Sequence, residues 1–190
     1  MCIRDRANCL DSNTTGGANT GVGRNCLESN TTGQYNVGVG FNGLQGNSTG
    51  SNNVAVGFQA LDDNTTADNN TAVGYSAGSA VTTGIKNTLV GGLAGDALTD
   101  ADENVAVGYN ALGADVNGSR SVAIGWDPLQ AQNPTTATNM YNVAVGANAG
   151  AAVTTGTENT LIGGLAGDAL TTGDRNCLLY TSDAADEHSC

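Results

Sequence analysis

The chain has 190 residues, 28 of them glycine, with 13% charged, 4% aromatic and a formal charge of -12. So few large side chains cannot fill a thick core at native packing density. So acidic a chain lacks the basic face that nucleic acid or an anionic membrane requires, and no apolar run approaches the ~20 residues that cross a bilayer.

In chain order, the first and last segments differ in style from everything between them. Residues 1–6 read Met-Cys-Ile-Arg-Asp-Arg and residues 177–182 read Cys-Leu-Leu-Tyr-Thr-Ser. Back-translation of the second as TGT CTC TTA TAC ACA TCT gives a reverse complement containing ATG TGT ATA AGA GAC, which encodes the start of the first. The string resembles a transposon-end sequencing adapter, so residues 1–6 and 177–190 are expected to be translated adapter, disordered and excluded from fold reasoning. His188, the only histidine, falls in that tail. Residues 7–176 remain as the folded domain, a piece of a longer protein.

That domain is a tandem repeat. Asn19, Asn36, Asn53, Asn70, Asn87 and Asn104 are spaced by 17 residues, Ser121 takes the next position, and after a 21-residue unit the step of 17 resumes through Asn142, Asn159 and Asn176. Counting Asn as place one, the unit opens Asn-Val-Ala-Val-Gly, as in Asn53–Gly57; place four is β-branched from Val22 to Ile162 and place five is glycine from Gly23 to Gly163. A β-branched run ending in glycine reads as a short strand closed by a tight corner. An Ala-Leu pair at places eight and nine, as in Ala60-Leu61, reads as a second strand, and Asn-Thr-Thr-Gly, as in Asn30–Gly33, as a turn. In some units place nine is glycine and an apolar residue appears three places later, as in Gly78 and Val81 or Gly95 and Leu98; residues 70–103 recur in this form as 142–175.

Seventeen residues are too few for a two-helix repeat and suit one coil of an all-β, parallel β-solenoid. Coils about 4.8 Å apart would build a rod roughly 50 Å long, with the place-one asparagines forming a side-chain amide ladder. The strand is apolar on both faces, and such strands are normally covered on both. The Ala-Leu strand covers one. The other face, with Ala55, Ala72, Leu89, Ala106, Ala123, Ala144 and Leu161 at place three, is expected to be the interface of a homo-oligomer.

Repeated Asn-Val-Ala-Val-Gly followed by Ala-Leu and Asn-Thr-Thr-Gly, over residues 8–176, resembles the head repeats of YadA-like trimeric autotransporter adhesins and, more strongly, the repetitive shafts of phage tail fibres. The resemblance implies a left-handed β-roll, a homotrimer, and an extracellular place on a virion tail fibre or a bacterial surface. The function it implies is that of a fibre segment that projects, or contributes to, binding of a host-surface glycan or protein receptor. The alternative reading is that the repeats are themselves the adhesive head.

Without the tail histidine there is no Ser-His or Cys-His pair, and the acidic pairs Asp62-Asp63 and Asp102-Glu103 fall in turns, so neither an enzyme nor a cofactor is expected. Cys9 and Cys26, at place eight, are expected to be small buried thiols, and no metal site is expected around them. Thr-Thr pairs recur from Thr14-Thr15 to Thr171-Thr172 and raise ice binding as a remote alternative, although adjacent threonines in a strand face opposite ways. Place six carries Phe41, Phe58, Tyr75, Tyr109 and Trp126, which read first as an aromatic ladder over the corner or at the chain interface and second as a candidate sugar-stacking stripe. The 21-residue unit has its extra residues within 127–141, and insertions in repeat arrays tend to carry binding, which makes Trp126, Asn133, Met140 and Tyr141 the candidate ligand contacts.

Overall fold

The computed structural model describes residues 3–4 and 8–179. It is a parallel β-solenoid. Eleven short strands form one sheet in the order β1 (Ile3–Arg4), β2 (Thr20–Val22), β3 (Val37–Val39), β4 (Val54–Val56), β5 (Thr71–Val73), β6 (Thr88–Val90), β7 (Val105–Val107), β9 (Val122–Ile124), β11 (Val143–Val145), β12 (Thr160–Ile162) and β13 (Cys177–Leu179). Every pair is parallel and in the register of the repeat, so that Val54 lies over Thr71 and Ala55 over Ala72. A second sheet of two strands, β8 (Gly118–Ser119) and β10 (Thr138–Asn139), forms where the long unit rejoins the stack. Among the described residues there is no helix, hence none long and apolar enough to cross a membrane.

The Ala-Leu segment is not the second strand expected from sequence. Places six to eleven are a run of turns, because the backbone is left-handed at place seven (Asn42, φ 58°) and again at place nine (Leu44, φ 55°). Asparagine, which tolerates that region, occupies place seven in five of the coils. The turns are nevertheless bonded coil to coil as regularly as the strands: the N–H of Leu27 donates to Gly43 O at 3.1 Å and that of Leu44 to Ala60 O at 3.0 Å. Few backbone groups are left for water, which is what permits so thin a coil.

The two strand faces are the reverse of the sequence expectation. Ala55, Ala72, Leu89, Ala106, Ala123, Ala144 and Leu161 are fully buried inside the single chain, so the place-three column cannot be an interface with another copy. The β-branched residues of places two and four point outward and are partly exposed, Val73, Ile124 and Ile162 most of all. The reason is volume. The interior is narrow and is filled by place three together with the leucines of place nine, so it accepts alanine where valine would overfill.

The glycine variant of place nine obeys the same limit. A Cβ on Gly78 would lie 2.6 Å from Leu89 Cδ1, and one on Gly95 would lie 2.8 Å from Leu89 Cδ2. Leu89 therefore fills the space of two missing leucines, helped by Val81 and Leu98, and Leu161 does the same between Gly150 and Gly167.

Asparagine does two jobs. At place one its Oδ1 accepts the backbone N–H of the next Asn (Asn36 to Asn53, 2.9 Å), and its Nδ2 donates across the coil to the carbonyl of place fifteen (Asn36 to Gly50, 2.8 Å). This is chiefly a brace to the backbone; the expected amide-to-amide bond joins it at two steps, from Asn87 to Asn70 at 3.2 Å and from Asn176 to Asn159 at 2.9 Å. A true amide ladder forms at place twelve, where Asn30 donates to Asn13, Asn47 to Asn30 and Asn64 to Asn47 at 2.7–2.8 Å. It stops where Val81 takes the place, leaving Asn64 Oδ1 buried without a partner.

The expected borders of the folded domain are overrun by one strand at each end. Ile3–Arg4 pairs with Thr20-Gly21, and Cys177–Leu179 pairs with β12, with Leu178 packed beside Gly167. An open end of a parallel ladder presents unpaired N–H and C=O groups, and an extended tripeptide one repeat away satisfies them whatever its origin. The rest of the two expected adapter segments, His188 included, lies outside the described residues.

Candidate functional site

Place six lies just past the glycine corner, and its side chains form a column on the outside of the rod. Phe41 stacks on Phe58 with ring centroids 5.3 Å apart, and Phe58 on Tyr75 at 5.5 Å, both pairs within 10° of parallel. The Arg24 guanidinium sits over the free face of Phe41 at 5.7 Å. This is a cation–π cap on the end of the stack. Beyond Tyr75 the column is interrupted by Gly92, then continues with Tyr109 and Trp126. The rings with neighbours on both sides are the least exposed, Phe41 at 38% and Phe58 at 43%, whereas Tyr75, Tyr109 and Trp126 reach 52–59%.

The long unit does not gather its four candidate residues. Asn133 is exposed, and its backbone N–H bonds Thr154 O. Residues 135–137, all exposed, form the added loop; Asn117 Nδ2 donates to Pro134 O, and Thr138 Oγ1 to Thr136 O. Met140 is fully buried and cannot touch a ligand on the surface. Its N–H bonds Ser119 O while its carbonyl accepts from Glu158, so it stands one place later for the coil below than for the coil above. It is a one-residue bulge, and a bulge redirects a side chain, here into the core. Tyr141 is half-exposed and is held by Arg120, which bonds its hydroxyl at 3.0 Å and lies 5.7 Å from its ring centre. Trp126 belongs to the aromatic column, and among the described residues no hydrogen bond or ring contact joins it to Asn133 or Tyr141.

Charges at place seventeen alternate up the rod. Lys86 and Arg120 flank Glu103 at 3.3 and 2.9 Å, and Arg175 pairs with Glu158 at 2.9 Å. Arg120 first and Lys86 second hold Glu103 below the ordinary carboxylate range. These pairs are exposed and worth little each, but like charges in adjacent coils would oppose the stack, so the pattern favours one register. Together with Arg24 over Phe41 they engage every described basic side chain beyond residue 8.

Among the described residues the interior holds one fully buried acid. Asp115 occupies the asparagine position of place twelve; it is fully buried, accepts from Gly118 N at 2.7 Å, and accepts from Gln132 Nε2 at 2.5 Å. Gln132 also bonds Ser121 Oγ at 3.0 Å and accepts from Asn142 Nδ2 at 2.8 Å. Sequence reading missed this network, whose signal was the coincidence of polar Asp115 and Gln132 at place twelve, which holds asparagine or an apolar residue in the other coils, with Ser121 at the asparagine of place one.

Desolvation raises the Asp115 pKa, against the hydrogen bonds from Gln132, Gly118 and Asn117 that lower it. Below the unfolded value of about 3.9 both states are protonated and there is no penalty. Above it the unfolded chain releases a proton that the folded chain keeps, so stability falls as pH rises until the folded group ionises too. Asp115→Asn restores the repeat and removes the charge. It should raise stability at pH 7 by about 1–2 kcal/mol, with the gain shrinking toward pH 4. Urea unfolding of both proteins at the two pH values checks this; a gain independent of pH would mean that the buried charge is not its source.

Cys9 and Cys26 are buried, and Cys26 Sγ lies 2.7 Å from Gly40 O. Burial pushes the Cys26 thiol up, with a smaller push from Cys9. Among the described residues no three His, Cys, Asp or Glu side chains cluster so as to hold a metal ion. Comparison with protein-family models, curated proteins and solved structures finds no match to the chain.

Proposed function

We propose that the chain is a stretch of extracellular fibre shaft, homo-oligomeric and most simply trimeric as in the repeat class it resembles, which holds a receptor-binding part away from a virion or a bacterial surface. The observation that carries this reading is the outward strand face. Val, Thr and Ile of places two and four continue without a charged residue from Thr20 to Ile162, a stripe nine strands long and about 40 Å at the spacing of paired strands. Uncharged, flat, β-branched surface of that extent marks association between chains. A second copy of the same rod, with the same repeat, offers a matching stripe.

Light scattering on the purified chain at tens of micromolar tests the reading. An oligomer is expected, and Val56→Lys with Val107→Lys, both on the outward face, should convert it to a monomer with its far-UV spectrum unchanged. A monomeric wild-type chain would sink the proposal.

The second reading, an adhesive head, draws on the exposed aromatic column. Removing whole coils in register separates the two: binding that falls in proportion to coil number belongs to an adhesive surface. Ice binding draws less support. The hydroxyls of place thirteen are spent on the next coil, as in Thr31 Oγ1 to Ser48 O at 2.9 Å and Thr65 Oγ1 to Thr82 O at 3.1 Å.

A further inference from the structure

Two cysteines stand one coil apart. Cys9 and Cys26 both hold place eight, and the N–H of Leu10 donates to Cys26 O at 3.0 Å, which sets the two residues in the register of the repeat. Their Cα atoms are then one coil step apart, about 4.8 Å, within the roughly 4.4–6.8 Å that a disulfide spans. Both side chains are fully buried and therefore point into the same narrow interior. Their sulfurs meet the same stretch of strand. A Cβ on Gly21 would lie 2.5 Å from Cys9 Sγ, and Cys26 Sγ lies 3.4 Å from Val22 O. The thiols also sense each other, since Cys9 adds to the upward push on Cys26.

The core is adapted to sulfur at this level. From residue 21 to residue 161, place three is glycine only at Gly21 and Gly38, and alanine or leucine in the other coils. Alanine at Gly21 would strike Cys9 Sγ, so cysteine and glycine go together. Stacked Cβ atoms one coil step apart are slightly farther from each other than in a relaxed disulfide. The small residues across the core let the two coils draw in by that amount.

We propose that Cys9 and Cys26 are the site of a disulfide that staples the first described coil to the next. One thiolate attacks a small disulfide such as glutathione disulfide and releases one glutathione. The second thiolate attacks the protein sulfur of that mixed disulfide and releases the other. Two cysteines are oxidised, one glutathione disulfide is reduced, and the two S–H protons leave on the two glutathione thiols. Neither sulfur is exposed in the closed coil, so exchange takes place while the coil is open, and closure then shields the bond. The staple belongs to a single chain and does not rest on the shaft reading. It can fail in an oligomer and hold in a monomer.

The test takes the whole chain, unfolded in urea and refolded in a glutathione redox buffer; chain exported to an oxidising compartment serves if refolding fails. Alkylation in denaturant, trypsin digestion and mass spectrometry follow. Cleavage after Arg6, Arg24 and Lys86 puts Cys9 in fragment 7–24 and Cys26 in fragment 25–86, apart from Cys2, Cys177 and Cys190. The expected product is 7–24 joined to 25–86, lighter by two hydrogens than the two thiol fragments together and separated by dithiothreitol. Dithiothreitol should also lower the urea midpoint of unfolding by about 1 M. Cys26→Ala, which gives the coil the residue found at Ala60 and Ala111, should show the same midpoint with and without dithiothreitol. Any of three results overturns the proposal: both fragments alkylated, either cysteine linked instead to Cys2, Cys177 or Cys190, or an oxidised chain no more resistant to urea than the reduced one.

Discussion

Replacing Gly108 with alanine is expected to destabilise the stack by about 4 kcal/mol or more, at the far end of what single substitutions do. Two effects act together. Gly108 has φ 127°, a region that residues with a Cβ do not reach without strain of about 1–3 kcal/mol. A Cβ there would also overlap the carbonyl oxygen of Gly125 in the next coil, and that oxygen belongs to backbone that cannot rotate away. The same contact recurs up the column, from Gly23 against Gly40 to Gly146 against Gly163, so the coils are in backbone-to-backbone contact along this edge. Stacked repeats are stabilised by their neighbours, and Gly108 sits near mid-rod. Thermal unfolding followed by far-UV circular dichroism should therefore split into two transitions, one for each half. Gly92→Ala, at place six of the preceding coil, where a Cβ would meet only the Tyr109 ring at an ordinary 3.6 Å, should change stability by less than about 0.5 kcal/mol. If the two alanine variants behave alike, the glycine column is not what sets the coil spacing.

The period, the strand position and the corner glycine were legible because they are enforced by the backbone and recur in every coil. The inward face was not, because Ala-Val-Ala alternation is apolar on both sides and pattern alone gives no direction. A signal was nonetheless present. Leucine enters place three only at Leu89 and Leu161, within the two stretches where place nine is glycine; large and small residues that exchange in this way share one space, and place nine was already assigned to the core. The second strand was misread for a different reason. Ala-Leu is compatible with a strand, but the asparagine that precedes it in five coils accepts a left-handed backbone, and left-handed residues at both place seven and place nine turn the segment into a curl.

Among candidate site residues, the aromatic column could be read because it too recurs. Met140 could not, since its burial depends on a bulge that appears once, and its count of 21 residues can be divided in more than one way. The amide brace was only half legible. Asn at place one is plain in the sequence, but whether it bonds its own kind or the backbone depends on where the place-fifteen carbonyl stands across the coil.

That brace carries the second large effect. Asn70 Nδ2 donates to Gly84 O at 2.7 Å, and its Oδ1 accepts the Asn87 backbone N–H at 2.8 Å and Asn87 Nδ2 at 3.2 Å. Asn70 is fully buried, so no water can replace these bonds. Asn70→Ala leaves a backbone donor and a backbone acceptor unpartnered, at about 1–3 kcal/mol each, and an expected total of about 3–5 kcal/mol in urea unfolding. The chain contains its own control. Where Ser121 stands in for the asparagine, Gln132 brings an amide from another place in the same coil, with its bonds running to the side chains of Ser121, Asn142 and the buried Asp115 rather than to the backbone. Gln132→Ala should for that reason be as costly as the asparagine change, although glutamine occurs at this place only once. A loss below about 1 kcal/mol in both variants would mean that the backbone ladder holds the coil closed without its amides.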